Sequence, residues 1–316
     1  LKKMNLGLIG YGVAQIGNLY REGTEENAIE AVNAAWDSGI RYFDTAPHYG
    51  LGLSEKRLGK ALQGRPRDQF FVSTKVGREL VPNPHYAGEL DIDNGFAVPR
   101  TLVRKPSYDY AGIRRSLESS LERLGLDRVD IIYIHDPDAY DLHPMLDLAL
   151  PAVQRLKDEG LVNAIGVGSK SVEALLRGVR DGALDSIMVA GRYTLLEQPA
   201  GEELFPECLA REVDVVLAAP FNSGILAKSS PTATGRYEYQ SAPNDLLVKA
   251  QQISDVCQSY GVELPAAALQ FPLRHPAVVN VVVGATTRSQ IEQNVKFMSQ
   301  DIPEALWAEL SELALT

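Results

Sequence analysis

Arg41-Tyr42-Phe43-Asp44-Thr45-Ala46-Pro47-His48-Tyr49-Gly50 is the stretch from which the fold can be read. The β-like run 40–43 reads as a short strand ending in a carboxylate, and Ala46-Pro47 stops it, because proline has no N–H to give to a sheet. Tyr49 therefore falls on a loop just past a strand end, at the same mouth as Asp44. Two other apolar runs end on a polar residue of a useful kind. Phe70-Phe71-Val72-Ser73-Thr74 leads to Lys75, and Val129 through Ile134 leads to His135. If these runs are neighbouring parallel strands, Asp44, Lys75 and His135 surround Tyr49.

Working outward, strand-like runs recur at 6–10, 40–44, 70–75, 129–135, 162–167, 186–190, 213–218 and 278–283. Amphipathic helical patterns alternate with them at 25–38, 54–63, 110–124, 146–159, 171–181, 202–212, 244–260 and 288–298. This alternation is the pattern of a parallel sheet with right-handed crossovers. The runs are apolar on both faces, as strands covered on both sides are. An open doubly wound sheet gives the same local pattern. The count of eight, with chemical residues after several different strands, favours a closed (β/α)8 TIM barrel whose site lies on its C-terminal face. We expect one domain, 1–316. Thr24 and Asn27 bracket a helix start, and Gly39, Gly125 and Gly160 close helices. Two connections, 79–109 and 228–243, are too long for plain turns and are expected to wall the same face; the first carries Tyr86 and Phe96, the second Tyr237 and Tyr239.

With 316 residues and 34.5 kDa the chain can bury a large core. A net charge of -10, with acids and bases interspersed, argues against nucleic-acid or anionic-membrane partners. Two cysteines, Cys208 and Cys257, imply no disulfide framework and fit a reducing cytosol. No apolar stretch approaches the roughly 20 residues of a membrane span, so a cytoplasmic protein is expected. The oligomeric state is left open.

Some motifs mislead. Gly10-Tyr11-Gly12 lacks the third glycine of a dinucleotide fingerprint, because Gln15 stands there. Gly166-Val167-Gly168-Ser169-Lys170 lacks the upstream glycine of a P-loop. His48, His85, His135, His143 and His275 show no metal-ligand spacing, and no metal is expected. Ser54 with His48 is no hydrolase triad, as no G-x-S-x-G is present.

The chemistry of the first group is specific. A phenol, with a free pKa near ~10, trades protons at neutral pH only if its phenolate is stabilised. A lysine ammonium does that, and a buried carboxylate holds the lysine charged. Asp44, Lys75 and Tyr49 thus form a relay, with His135 orienting the substrate oxygen. Oxidising an alcohol also removes a hydride, which none of these side chains can accept. A nicotinamide is therefore implied.

At this point the chain resembles the aldo-keto reductase family. The likeness rests on 40–50, on Leu121-Glu122-Arg123-Leu124-Gly125-Leu126-Asp127 through His135-Asp136-Pro137-Asp138, and on Val282-Val283-Gly284-Ala285-Thr286 with Gln290, Gln293 and Asn294. The family's catalytic tetrad maps onto Asp44, Tyr49, Lys75 and His135, and its nicotinamide lies over the barrel mouth. Closer likeness, through 48–55, 73–78 and 190–198, is to the aldose 1-dehydrogenase branch (L-fucose and D-threo-aldose dehydrogenases), with L-galactose dehydrogenase and pyridoxal 4-dehydrogenase nearby. The resemblance implies cofactor contacts from Val13, Asp44, Ser169, Tyr193, Pro220, Gly224, Val283, Gly284, Ala285, Thr286, Gln290 and Asn294. Substrate contacts are expected from Tyr11, His48, Tyr49, His135, Asp136 and Arg192. The chain departs from the family at Gly168-Ser169, where many members have Ser-Asn, and at Ala190, where a glutamine is common. It departs again at Ala218-Ala219-Pro220, where a tyrosine usually stacks on the nicotinamide. Lysine and arginine of NADP-preferring members are replaced by Gly284, Thr287 and Gln290, which leaves only Arg288 and favours NAD over NADP, or the use of both. The implied activity is oxidation of the C1 hydroxyl of a cyclic aldose to the lactone. Pyridoxal as its hemiacetal, a general carbonyl reduction, and a non-catalytic nicotinamide-binding regulatory subunit are the alternatives.

Overall fold

The computed structural model describes residues 1, 4–231, 236–237 and 240–314. Eight parallel strands close in chain order into a barrel: β1 (Ile9–Gly12), β2 (Tyr42–Asp44), β3 (Phe71–Val76), β4 (Ile131–His135), β5 (Ala164–Ser169), β6 (Ser186–Ala190), β7 (Asp214–Ala218) and β8 (Val278–Gly284). Each expected run contains its strand to within a few residues. Around them lie α1 (Glu25–Asp37), α2 (Leu53–Leu62), α3 (Tyr110–Leu124), α4 (Leu142–Asp158), α5 (Val172–Asp181), α6 (Leu204–Ala210), α7 (Asn244–Ser259), α8 (Leu264–Gln270), α9 (Arg288–Met298) and α10 (Glu304–Ala314). The caps follow their chemistry. Thr24 Oγ1 accepts from Asn27 N at the start of α1, and Gly125 ends α3 in the left-handed conformation.

The barrel interior explains two of the misleading glycine motifs. Tyr42 and Tyr133 fill it together with Ile131, Ala164, Met188, Val216 and Val282. A Cβ at Gly10 would sit 2.7 Å from the Tyr42 ring, and one at Gly166 would sit 2.7 Å from the Tyr133 ring and 2.3 Å from Ser186 O. These glycines make room for rings, not for phosphates. The two phenols are satisfied inside by Ser73 Oγ at 2.9 Å and Ser186 Oγ at 3.3 Å.

Four elements differ from the expectation, one of them being α10, where no helical pattern is expected. The helix α4 begins at Leu142, not at 146, because Pro144 is tolerated in a first turn where no intrahelical N–H bond is due. The helix α8 was not expected. Leu264 to Leu269 are all buried, so the segment lacks the polar face that a periodicity reading needs. The connection 79–109 is a built ribbon: strand Arg78–Pro82 pairs antiparallel with Leu102–Pro106. Its fully buried Asp91 is gripped by Arg104 Nη2 at 2.6 Å and Arg100 Nε at 3.4 Å. The ribbon is tied to the loop after β1 by a Leu19–Phe96 bridge and by Tyr20 N donating to Gly95 O at 2.7 Å. The other long connection, 228–243, with Tyr237 and Tyr239, lies partly outside the described residues.

Gly59 shows how closely the outer layer packs. A Cβ there would lie 2.0 Å from the carbonyl oxygen of Leu124, where α2 crosses the end of α3. Alanine normally favours a helix interior over glycine by about 1 kcal/mol. At this position the clash should reverse the sign. Gly59→Ala is expected to lose about 1–3 kcal/mol in urea unfolding; unchanged or raised stability would contradict the packing.

Candidate active site

Register assembles the site. Asp44, the last residue of β2, pairs with Ser73 of β3, and Lys75 follows two residues later on the same face. Both reach one carboxylate: Ser73 Oγ donates to Asp44 Oδ1 at 2.7 Å and Lys75 Nζ to Oδ2 at 2.7 Å. Lys75 also donates to Thr45 O at 3.0 Å and hydrogen-bonds the Tyr49 side chain, with Nζ 4.8 Å from the ring centroid. Burial would push this ammonium towards neutrality. The charge of Asp44, with Tyr49 and the hydrogen bonds to both, outweighs it and holds Lys75 above its ordinary value.

On the other side of Tyr49 lies a cluster of rings. His135 meets it edge-on at 5.9 Å between centroids, and His48 meets His135 at 5.5 Å and Phe96 at 5.4 Å. Both histidines are held well below their usual pKa. Burial is the main cause, reinforced for His135 by Arg78 and Lys75, and for His48 by Arg104 and Arg78. They stay neutral donor–acceptors. His135 Nε2 lies 3.4 Å from Asp136 Oδ2, while Nδ1 is buried without a protein partner. A carboxylate facing Nε2 favours the tautomer with its proton there.

The ribbon supplies two guanidinium groups that single out no motif in the sequence. Arg78 Nη2 pairs with Asp136 Oδ2 at 2.8 Å and its Nη1 lies 3.4 Å from His48 Nδ1. Arg104 Nη2 donates to His48 O at 2.8 Å. Arg78 is four residues past the end of the apolar run that stops at Thr74, a position that a search for strand-end residues passes over.

Above this group opens a cleft of about 350 Å³ at the C-terminal mouth. Asp44, Tyr49, Lys75, His135 and Asp136 line one side. Gly168, Met188, Ala190, Ala218, Phe221 and Gly284 are among the residues of the remaining wall.

The aldo/keto reductase family model matches residues 8–314. This chain belongs to the aldo/keto reductase family. It is 52% identical over 308 residues to a D-threo-aldose 1-dehydrogenase of a Pseudomonas species, covering 97% of this chain and 94% of that one. It is 34% identical over 318 residues to the pyridoxal 4-dehydrogenase of Microbacterium luteolum, covering 96% and 92%. Among solved structures, the holo form of an aldo-keto reductase from Bacillus halodurans superposes with a TM-score of 0.75 at 25% identity, over 97% of this chain and 91% of that one.

As an aldo-keto reductase the chain is an oxidoreductase whose family uses NAD(P)H. The cleft fits such a cofactor in two respects. Its floor is made of small residues at strand ends, and Gln15 Oε1 is buried in its wall with no protein partner. Ser169, Pro220, Gly224, Val283 and Gly284 line the cleft beside Asp44. Ala285, Thr286, Gln290 and Asn294 lie beyond it, around the start of α9.

Several expected contacts do not face the cleft. Tyr11 is buried in the core and donates to Ala285 O at 2.9 Å, because alternation along β1 turns its ring outward into the core between strands and helices while Gly10 and Gly12 face in. Val13 is fully buried, with its carbonyl accepting from Ser54 Oγ at 2.7 Å. Tyr193 stacks on Phe271 at 5.2 Å and packs on Phe205, within the helical layer. Arg192 pairs with Glu197 at 3.1 Å and is not part of the lining. His48 reaches the site through ring contacts with Tyr49 and His135. Among the described residues no group of His, Cys, Asp or Glu could hold a metal ion, and no helix is long and apolar enough to cross a membrane.

The neutral histidines predict a pH dependence of stability. With folded pKa values depressed, the unfolded chain binds more protons below about pH 6.5, so stability is full above that pH and is lost as pH falls. His135→Gln should remove up to about 1.4 kcal/mol per pH unit from that slope between pH 6.5 and 5. Urea midpoints across this range check it; parallel slopes in both proteins would contradict a buried neutral His135.

Proposed function

We propose that this aldo-keto reductase is an NAD(P)-dependent aldose dehydrogenase that oxidises the C1 hydroxyl of a cyclic aldose to the lactone. One observation carries the reading: the Tyr49 side chain lies between an ammonium tied to a buried carboxylate and a neutral imidazole, at the rim of one cleft. The 52% identical relative named D-threo-aldose 1-dehydrogenase supports the substrate class.

Lys75 favours the phenolate of Tyr49 by Coulomb attraction, and Asp44 keeps Lys75 charged in a site where burial opposes it. Tyr49 takes the proton of the C1 hydroxyl, and the C1–H bond is lost as a hydride with its electron pair. C1 and its oxygen become the lactone carbonyl, with the ring oxygen retained. The nicotinamide supplies the acceptor for that hydride. His135, neutral and protonated on Nε2, holds the reacting oxygen in place without taking up charge. Pyridoxal as its cyclic hemiacetal offers the same lactol group, and the 34% identical relative makes it the competing substrate. An intact tetrad counts against a non-catalytic regulatory subunit.

The surroundings of the start of α9 support NAD over NADP. Arg288 already faces Glu30 at 2.6 Å, Asp37 at 3.2 Å and Glu292 at 3.5 Å. Gln290 Oε1 accepts from both Thr286 N and Thr286 Oγ1, at 2.8 and 2.9 Å. A side chain at Gly284 would begin 2.1 Å from Gln15 Nε2, so a lysine there would first have to displace that amide. A 2'-phosphate wants paired cations, and among the described residues at the start of α9 the one arginine, Arg288, is already engaged.

Tyr49→Phe is expected to lower kcat by at least about 10²–10⁴-fold while cofactor Kd stays within a few-fold, since only the proton carrier is removed. Near-normal turnover would remove Tyr49 from its role. In a panel of L-fucose, D-arabinose, L-galactose and pyridoxal, followed by nicotinamide absorbance, the aldoses should give the higher kcat/KM. Tight cofactor binding with no turnover of any would favour the regulatory reading. With the best substrate, kcat/KM should be higher for NAD than for NADP; a large NADP advantage would refute the preference.

A further inference from the structure

Asp136 is one residue beyond the tetrad histidine, yet its carboxylate turns back to lie 3.4 Å from His135 Nε2. It does so because its backbone adopts φ +39°, in the left-handed region, which Asp tolerates better than most side chains. Only Oδ2 is engaged, by Arg78 Nη2 at 2.8 Å and by that His135 contact. Among the described residues Oδ1 has no protein partner, and Asp136 lines the cleft. Arg78 is itself held at the base of the ribbon, with its side chain 9% exposed. The carboxylate is thus held through Oδ2 at the edge of the cleft, which leaves Oδ1 for a further donor.

Resting on the aldose reading above, we propose that Asp136 accepts a hydrogen bond from the C2 hydroxyl of the sugar and is the specificity residue for that position. If the C1 oxygen lies between Tyr49 and His135 Nε2, a carboxylate beside that same Nε2 is within reach of one of the two ring atoms bonded to C1, and of these only C2 carries a hydroxyl that can donate. An ionised carboxylate only accepts, so it demands a donor there. A substrate without one leaves a half-buried charged oxygen out of water and unpaired, the situation in which a site rejects an analogue most strongly. Burial already raises the Asp136 pKa, with Arg78 opposing the shift, so the group is sensitive to any loss of partners. The hydroxyl at C2 is also placed by configuration, because its epimer points the donor away from Oδ1.

Three pentoses isolate the contact: D-arabinose, its C2 epimer D-ribose, and 2-deoxy-D-ribose, which differs from both only in lacking the C2 hydroxyl. With wild-type protein and saturating cofactor, kcat/KM for the deoxy sugar should be about 10- to 100-fold below that for D-arabinose, the range of a hydrogen bond to a charged group. In Asp136→Ala, loss of the carboxylate facing His135 Nε2 slows both sugars, but D-arabinose should fall by a further factor of about 10 to 100, so the ratio collapses towards one. A general structural defect would lower both sugars together and keep the ratio. An unchanged ratio in the variant would overturn the assignment. So would equal use of D-arabinose and the deoxy sugar by the wild type, a result that needs no variant. Silence of the wild type with every aldose, but turnover of pyridoxal, would instead overturn the aldose reading and this assignment with it.

Discussion

Lys75 and Asp44 face each other at 2.7 Å with side chains only 3% and 4% exposed. Removing two such charges from water costs several kcal/mol for each ion, and their attraction offsets that only when the remaining donors and lone pairs are also met. Here they are met. Thr45 O and the Tyr49 side chain accept from the ammonium, and Ser73 Oγ fills the second carboxylate oxygen. Such a pair contributes little net stability compared with a packed apolar one. What it secures is a fixed positive charge under a phenol, in a place where an unpaired lysine would deprotonate. The barrel supplies the place: a two-residue step along β3, in register with the end of β2, puts both serine and lysine on a single aspartate.

The ribbon inserted after β3 stands in a similar relation to the other half of the site. Asp91 is buried and needs two arginines; one of them, Arg104, also holds the carbonyl of His48. His48 packs against both Tyr49 and His135, and Arg78 from the foot of the ribbon fixes Asp136. The arginines add positive potential that keeps both histidines neutral beyond what burial does. Anchoring the ribbon and setting the protonation of the site are therefore the work of the same side chains.

Much of this could be read from the chain because strands of a closed barrel are apolar throughout and stop abruptly at their C-terminal ends. Asp44, Lys75 and His135 stand out as the first ionisable residues after such runs, and Tyr49 as the aromatic just past the break at Pro47. Side chains inside β1 were harder, since two-residue alternation must be phased: Tyr11 sits between two inward-facing glycines and so faces the helices. Tyr193 follows a strand end, but its ring joins Phe205 and Phe271, distant in sequence. Arg78 and Arg104 could not be selected from a loop in which prolines hide the strand pairing. The helix α8 is apolar on every side and carries no periodic signature.

The central claim is that the carboxylate and the ammonium act as one unit upon the phenol. A double-mutant cycle on kcat with Asp44→Asn, Lys75→Met and the pair of changes together tests it most directly. Because either single change removes the same ammonium-to-phenol interaction, the double variant should be no more than a few-fold slower than the worse single variant. Losses that multiply would mean that Asp44 and Lys75 act separately, and turnover near the wild-type level in Lys75→Met would mean that the phenol needs neither.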